Sequence, residues 1–249
     1  MVDTHCHLDV CASPEHELLE RARAVGVTRL ATVGTDEPGI ERALAAARDH
    51  DDVVAIVGRH PHETGGFDEG DLERIEAAAA EPEARAIGES GLDYYRDHAP
   101  REDQRRAFGA HIELAARLGM PLVVHTRAAE DDTFALLRER AAALTVVLHC
   151  FSAPDRLEEC VEHGWLCSFA GNVTYPSATE LQSAAREVPD NLLLVETDSP
   201  YLAPQPVRGQ SNEPANVVAT AQAVAALRGV GYEQLEATLE ANAARVFGW

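Results

Sequence analysis

The sequence predicts an α/β fold, a single-domain (β/α)8 TIM barrel, from three observations. Short apolar segments typical of strands alternate with longer segments rich in Ala, Glu, Leu and Arg, which are typical of helices. The alternation occurs eight times, and eight units favour closure into a barrel over an open sheet. A length of 249 residues is usual for such a barrel. The predicted domain covers residues 1–249.

The strand segments are short apolar runs followed by polar residues. In chain order they are Val2 to His7, Arg29 to Gly34, Val53 to Arg59, Arg85 to Glu89, Pro121 to Thr126, Thr145 to Cys150, Trp165 to Ala170 and Leu192 to Asp198. Ser13-Pro14 precedes the first helical segment and Asp36 or Glu37 the second, as expected of residues that cap helix N-termini. The tail from Asn212 onward predicts two further helices.

The charge of the chain limits how it could bind a polyanion. Lys and Arg together number 21 and Asp and Glu 42, which gives a net charge of −21, and no residue is lysine. Counterion release at a broad basic face requires many cations, so this chain cannot hold nucleic acid in that way. A substrate that carries phosphates must be met locally, by metal ions and a few arginines.

Cysteine usage and the N-terminal sequence bear on the compartment. The five cysteines are odd in number and lack CxxC spacing, which fits a reducing environment. The N-terminus has no basic region followed by an apolar run, and no segment approaches the length of a membrane span. These features predict a soluble, cytoplasmic protein without a membrane partner, either a monomer or a weak oligomer.

Chemistry-bearing side chains concentrate at the ends of the predicted strands. His5 and His7 are two residues apart, so on an extended strand both imidazoles project from one face. In a barrel of this class the active site forms at the carboxyl ends of the strands. Four other strands end in the segments Gly88-Glu89, His125-Thr126-Arg127, His149-Cys150 and Glu196-Thr197-Asp198. This convergence predicts a metal site.

The candidate ligands exceed what one catalytic zinc ion uses. They are His5, His7, Glu89, His125, His149 and Asp198. Six ligands suit two divalent ions, roughly 3.5–4 Å apart, that share a bridging carboxylate. These ligand types accept Zn²⁺, Mn²⁺, Mg²⁺, Co²⁺ or Ni²⁺, and the ion bound in the cell depends on availability. Asp198 and Glu89 are the predicted catalytic residues.

Other polar and aromatic residues near the strand ends are predicted to support the site. His60 and Arg127 lie at the same strand ends and are predicted to contact a substrate phosphate, although orienting a metal ligand is an equal alternative. His62, Glu196 and Asp93 fit the orienting role better. Tyr94, Tyr95 and Phe151 could stack on bases, but aromatic residues make up only 5% of the chain and packing is the favoured role.

Seven segments, in order along nearly the whole chain, resemble the TatD family of metal-dependent deoxyribonucleases. They are Asp3 to Asp9, Gly58 to His62, Gly88 to Tyr94, Val124 to Arg127, Leu148 to Phe151, Glu196 to Leu202 and Arg208 to Pro214. The resemblance implies a (β/α)8 barrel and hydrolysis of DNA phosphodiesters supported by Mg²⁺ or another divalent ion. It also implies 3′ to 5′ exonuclease action, with single-stranded DNA as the expected substrate.

The resemblance also implies how the ligands divide between the ions. His5, His7 and Asp198 would hold one ion, His125 and His149 the other, and Glu89 would bridge them. Many related binuclear barrels bridge their ions with a carboxylated lysine, which a chain without lysine cannot make. The absence supports the TatD-like interpretation over a phosphotriesterase-like or dihydroorotase-like one.

Two other functions remain open from the sequence. The same centre could hydrolyse a carboxylic ester or amide, such as an aminoacyl ester on tRNA. A non-catalytic barrel used as a binding protein or scaffold is the second alternative. It would be expected to lack ligands, whereas all six are present.

Overall fold

The computed structural model describes residues 1–249 and contains eight parallel strands. They are β1 Val2–Cys6, β2 Arg29–Gly34, β3 Val53–Val57, β4 Ala84–Asp93, β5 Leu122–Arg127, β6 Val146–Leu148, β7 Leu166–Phe169 and β8 Leu193–Val195. Their order in the sheet follows the chain from β1 to β8. The segment that follows β8 pairs with β1, because the amide of Asp198 donates to the carbonyl of His5 at 2.9 Å. The predicted (β/α)8 fold class is confirmed.

Nine α-helices accompany the strands. They are α1 Glu15–Ala24, α2 Glu37–Asp49, α3 Glu69–Ala79, α4 Arg101–Leu118, α5 Glu130–Arg140, α6 Leu157–His163, α7 Thr179–Glu187, α8 Val217–Arg228 and α9 Tyr232–Phe247. The first seven each connect consecutive strands, and the two predicted tail helices follow β8. The Asp36 side chain caps α2 by accepting from the amide of Gly39 at 2.7 Å. Pro14 precedes α1 without a side-chain cap, so the predicted cap at Ser13 is wrong.

All strand ends except that of β2 differ from the prediction, by one to four residues, and those of β4, β6 and β8 concern the predicted ligands. β6 ends at Leu148 and β8 at Val195, and the predicted last residues, Cys150 and Asp198, adopt left-handed backbone angles, with φ of 43° and 52°, that an extended strand cannot contain. His149 and Asp198 therefore lie just beyond their strands. β4 continues to Asp93, since its last residues pair with the end of β5, so Glu89 lies within the strand.

The chain divides into two compact units. A terminal unit comprises Met1–Thr32 and His149–Trp249, and a central unit comprises Val33–Leu148. The prediction that residues 1–249 form one domain stays a prediction.

The terminal unit is held together by α9, which packs against β1 and β8. The amino group of Met1 lies 2.7 Å from carboxylate oxygens of both Glu236 and Glu240 on α9. Asn242 of the same helix donates to the carbonyl of Leu193 at 2.8 Å. These polar contacts fix the starts of β1 and β8 to one helix.

In the central unit α4 packs against β4 and buries Phe108 and Ile112. His111 on this helix is also fully buried, and burial lowers its pKa to about 4. Its Nδ1 donates to the carbonyl of Ala107 at 2.7 Å, and its Nε2 accepts from the amide of Arg59 at 3.0 Å. His111 is thus a neutral structural residue that fixes the chain just after β3.

None of the helices is sufficiently long and apolar to cross a membrane. All five cysteines are free thiols.

Candidate metal centre

The terminal unit brings together four of the six predicted ligands. His5 and His7 direct their Nε2 atoms to within 3.3 Å of each other. The ring of His149 stacks on that of His5, with 3.9 Å between centroids. Asp198 lies beside them, with Oδ1 3.5 Å from His7 Nε2. All four are buried, and nitrogen and oxygen atoms that converge in this way fit a divalent cation.

Glu196 orients His149. Its Oε1 lies 3.1 Å from His149 Nδ1 and also accepts from the amide of Cys150 at 2.8 Å. A carboxylate can only accept here, so Nδ1 carries the proton and Nε2 keeps its lone pair for a cation. The other oxygen of Glu196 is buried without a hydrogen-bond partner. Donor atoms of His5, His149 and Glu196 lie within 4.8 Å of one another, a spacing suited to an ion.

The neighbouring histidines determine the charge of the Asp198 side chain. Burial raises its pKa, but the hydrogen bond with His7 and the charges of His149, His7 and His5 outweigh burial, and the net pKa is lowered. The side chain is therefore ionised at neutral pH, as both metal binding and proton acceptance require.

A buried network that the sequence analysis did not identify supports the Asp198 segment. Asp3 accepts from the amide of Thr197 at 2.8 Å and from its hydroxyl at 2.6 Å. Burial raises the pKa of Asp3 to about 8, against the lowering effect of the Thr197 hydrogen bonds. Asn212 donates to the carbonyl of Thr197 at 2.9 Å. Asp3 and Asn212 both lie in segments that resemble the TatD family. That resemblance is the sequence feature from which their supporting role could have been inferred.

The central unit brings together the other two ligands and His60. Glu89 Oε1 lies 2.9 Å from His125 Nδ1 and 3.5 Å from His60 Nε2. Donor atoms of these three residues fall within 4.8 Å of one another. His60 Nδ1 accepts from the amide of His62 at 3.1 Å, which directs its other nitrogen at Glu89. The three side chains offer a second donor set for a cation.

Asp93 orients His125 from the opposite side of the ring. Its Oδ2 lies 3.2 Å from His125 Nε2 and 3.0 Å from His62 Nε2. Burial raises the pKa of Asp93, but hydrogen bonds from His125, Arg96 and His62 bring it well below the usual range. A cation held by Glu89 and His125 would replace their mutual hydrogen bond, while Asp93 keeps the ring in place.

Close packing of β4 on β5 positions His125. Gly91 pairs with His125 in the parallel ladder and has a φ of 145°. A Cβ atom at Gly91 would lie 1.9 Å from the carbonyl oxygen of His125. Only glycine fits this approach, which explains the glycine in the segment Glu89-Ser90-Gly91.

The aromatic and cationic residues at these strand ends divide into two groups. Phe151 is buried and the hydroxyl of Tyr94 donates to Asp132 at 2.7 Å, so both have packing or structural roles. Tyr95 is 64% exposed, and the packing role predicted for it is wrong. Arg127 is exposed at the end of β5, with its Cζ 4.1 Å from the centroid of the Tyr95 ring.

The eight-stranded parallel order, with histidine and carboxylate clusters in the last residues of its strands or just beyond them, defines the chain as a metal-dependent hydrolase barrel. The family model "TatD related DNase" matches residues 2–248. The chain belongs to this family, as the sequence predicts.

Individual relatives agree with this assignment. The metal-dependent hydrolase YcfH of Escherichia coli K12 is 40% identical over 255 residues, covering 99% of this chain and 95% of the relative. A Klebsiella pneumoniae protein named 3′-5′ ssDNA/RNA exonuclease TatD is 35% identical, covering 93% of this chain and 91% of the relative. The crystal structure of YJJV, a TatD homologue from E. coli, aligns with a TM-score of 0.92 at 26% identity, covering 100% of this chain and 98% of the other.

Proposed function

We propose that this protein is a divalent-metal-dependent nuclease that removes nucleotides from the 3′ end of single-stranded DNA. The observation that carries the proposal is the buried convergence of His5, His7, His149 and Asp198 in the terminal unit. Glu89 with His125 forms the matching donor pair of the central unit. The Klebsiella relative named as an exonuclease on ssDNA and RNA supports nucleic acid as the substrate.

In this proposal the six ligands hold two ions. His5, His7 and Asp198 bind one, His125 and His149 the other, and Glu89 bridges. Bound divalent ions, Mg²⁺ in function, would acidify water and neutralise the charge of the scissile phosphate. The five free thiols agree with a cytoplasmic location, which stays a prediction together with the monomeric or weakly oligomeric state.

The chain's own residues perform the remaining steps. Asp198 accepts the proton of the attacking water, since it is ionised and lies beside His7. Glu196 and Asp93 keep His149 and His125 in their binding orientations. Arg127, and His60 at the edge of the Glu89 cluster, contact the substrate phosphate.

A substrate panel with metal-stripped protein tests the proposal. Mg²⁺, Mn²⁺, Zn²⁺, Co²⁺ and Ni²⁺ are added back separately, and hydrolysis is measured on 5′-labelled single-stranded DNA, the same DNA as a duplex, and a carboxylic ester dye. We expect a ladder of products shortened from the 3′ end on the single strand, only with metal present. Hydrolysis of the ester dye without cleavage of DNA would replace this proposal by the ester or aminoacyl ester alternative.

The acidic surface leads to a second expectation, that DNA affinity falls only shallowly with salt. Few phosphate contacts release few counterions, with a slope in log Kd against log salt near 0.7 per contact on single strands. Arg127→Ala should reduce the slope by about one contact and raise Kd more than it lowers the rate of the bound complex. Fluorescence anisotropy at several salt concentrations gives these slopes.

A control variant and the wild-type slope itself test this expectation. Arg117 on α4 is half-exposed and paired with Glu76 at 2.7 Å, so Arg117→Ala should change neither slope nor Kd. A wild-type slope around 10, as for dedicated DNA-binding proteins, would contradict the view that contacts are few.

A further inference from the structure

We propose that Tyr95 and Arg127 form a nucleobase-stacking subsite, which holds a base near the 3′ end of the single strand while its phosphodiester is cleaved. The inference rests on the proposed nuclease function and identifies the residues that would hold the base of the nucleotide to be removed. Four observations carry it: the exposure of Tyr95, its rigid attachment to Asp93, its stacking with Arg127, and the absence of any ion pair at Arg127.

Tyr95 is an exposed aromatic side chain on a fixed backbone. Tyr95 as a whole residue is 64% exposed, whereas the adjacent Tyr94 lies under Arg101 and donates its hydroxyl to Asp132. The chain turns just after β4 because Asp93 Oδ1 accepts from the amides of Tyr95 at 3.0 Å and Arg96 at 2.8 Å. An exposed ring held by its own backbone loses little further freedom when a base stacks on it.

The attachment point connects Tyr95 to the metal-ligand cluster of the central unit. The oxygen of Asp93 that does not bind the Tyr95 amide lies 3.2 Å from His125 Nε2. The amide of Tyr94 donates to the carbonyl of Arg127 at 2.9 Å, which ties the turn to the end of β5. Tyr95 is therefore two residues from a side chain that contacts a predicted ligand.

Arg127 is positioned to meet both a ring and a phosphate. It follows His125 by two residues on β5, so both side chains leave the same face of the strand. Its guanidinium covers the Tyr95 ring, with Cζ 4.1 Å from the centroid. Stacking uses the flat face of the guanidinium and leaves the N–H groups at its edge to donate to phosphate oxygens.

The charge of Arg127 is available to a ligand. Arg59, Arg101 and Arg105 of the central unit each pair with an aspartate. Arg127 forms no such ion pair in the described chain. The protein has a net charge of −21, so a positive charge without an acidic partner is a local exception. Arg127 and Tyr95 together offer this charge and an exposed ring to a ligand that is both anionic and aromatic.

A nucleobase with its phosphate is the ligand that matches both halves of this pair. Every base has a π face, so stacking on Tyr95 would hold any of the four bases without reading their edges. An exonuclease that advances along a strand needs this tolerance, because each successive nucleotide must occupy the same position.

The test compares Tyr95→Ala and Tyr95→Phe with wild type on single-stranded oligonucleotides in saturating metal. Loss of one stacked base corresponds to a rise in KM of about 5- to 150-fold for Tyr95→Ala, with kcat changed much less. Tyr95→Phe keeps the aromatic face and should stay within about 2-fold of wild type. Both variants should fold normally, since the side chain is exposed.

Two substrates separate stacking from a general defect. An abasic site is moved through the last few nucleotides, and at one position wild type and Tyr95→Ala should become equal, because no base remains to stack. An oligonucleotide whose last few nucleotides are all abasic has phosphodiesters but no aromatic ring there, and its hydrolysis should be the same in all three proteins.

The outcomes distinguish this inference from the function on which it rests. If wild type shortens single-stranded DNA and Tyr95→Ala leaves KM unchanged, the stacking subsite is wrong and the nuclease function stands. If Tyr95→Ala loses activity equally on the oligonucleotide with abasic last nucleotides, Tyr95 acts through the metal cluster and the inference also fails. If wild type hydrolyses no DNA with any metal, the proposed function fails and the inference fails with it.

Discussion

Asp198→Asn is expected to lower kcat on single-stranded DNA by about 10²- to 10⁴-fold, the usual cost of losing a general base. Asparagine keeps the size of the side chain and one oxygen, so it can still fill the position beside His7. It cannot accept a proton from the attacking water. The variant should therefore still bind DNA and at least one metal ion, and the loss should be in kcat.

Three measurements on Asp198→Asn separate proton transfer from loss of structure. Metal analysis of the purified variant gives ions per chain, anisotropy gives Kd for DNA, and single-turnover kinetics give the rate of the bound complex. Asp155→Asn is a suitable control, because that aspartate of the terminal unit is exposed. Its kinetics should match wild type.

The pH profile gives an independent check on the same residue. The lowered pKa of Asp198 keeps it charged down to acidic pH, so its own protonation limits activity only below the ordinary aspartate range. Loss of activity on the acid side should instead follow proton uptake by the imidazole ligands in competition with metal, and excess metal should shift that loss to lower pH. Turnover by Asp198→Asn within a few-fold of wild type at saturating metal would show that Asp198 is neither base nor essential ligand.

The fold could be predicted from the sequence because each element carries its own local signal. Short apolar runs alternate eight times with helical segments, and a parallel sheet of this order follows from that alternation. The exclusion of Cys150 from β6 and of Asp198 from β8 could not be predicted, because the left-handed backbone angles of these two residues do not follow from the apolar pattern of the strands. The extension of β4 depends on pairing with β5, which is a tertiary contact.

The candidate site was predictable to the extent that its residues follow strands. His5 and His7 are two residues apart, so on a strand their side chains project from the same face and can meet at one ion. The supporting residues were harder to identify. Asp3 has a buried carboxyl group whose partner Thr197 is 194 positions away, so no local sequence pattern indicates the contact. The exposure of Tyr95 depends on the Asp93 turn, which distinguishes it from the neighbouring Tyr94 although the two residues are identical in type.

Glu89→Ala tests the bridging assignment and should have the second large effect, loss of hydrolysis with the fold intact. Glu89 is only 2% exposed and contacts both His125 and His60, so its carboxylate is the shared acidic group of the central cluster. No lysine exists to replace it. We expect metal content to fall from about two ions per chain to one or none.

Metal-dependent stability provides a measurement of the Glu89 effect that does not rely on activity. Ions that bind only the native state raise the free energy of unfolding by mass action, so wild type should melt at higher temperature when metal is added. In Glu89→Ala that rise should be largely lost, while the metal-free melting curve stays cooperative.

Glu89→Gln keeps the volume of the side chain and should behave like Glu89→Ala, because it lacks the charge that two cations share. Glu113→Ala on α4 removes an exposed glutamate and should match wild type in metal content and in the metal-induced shift. Full metal content and activity in both Glu89 variants would exclude Glu89 as the bridge and leave the two ions to be held by other carboxylates, with Asp93 and Glu196 the nearest candidates to their histidines.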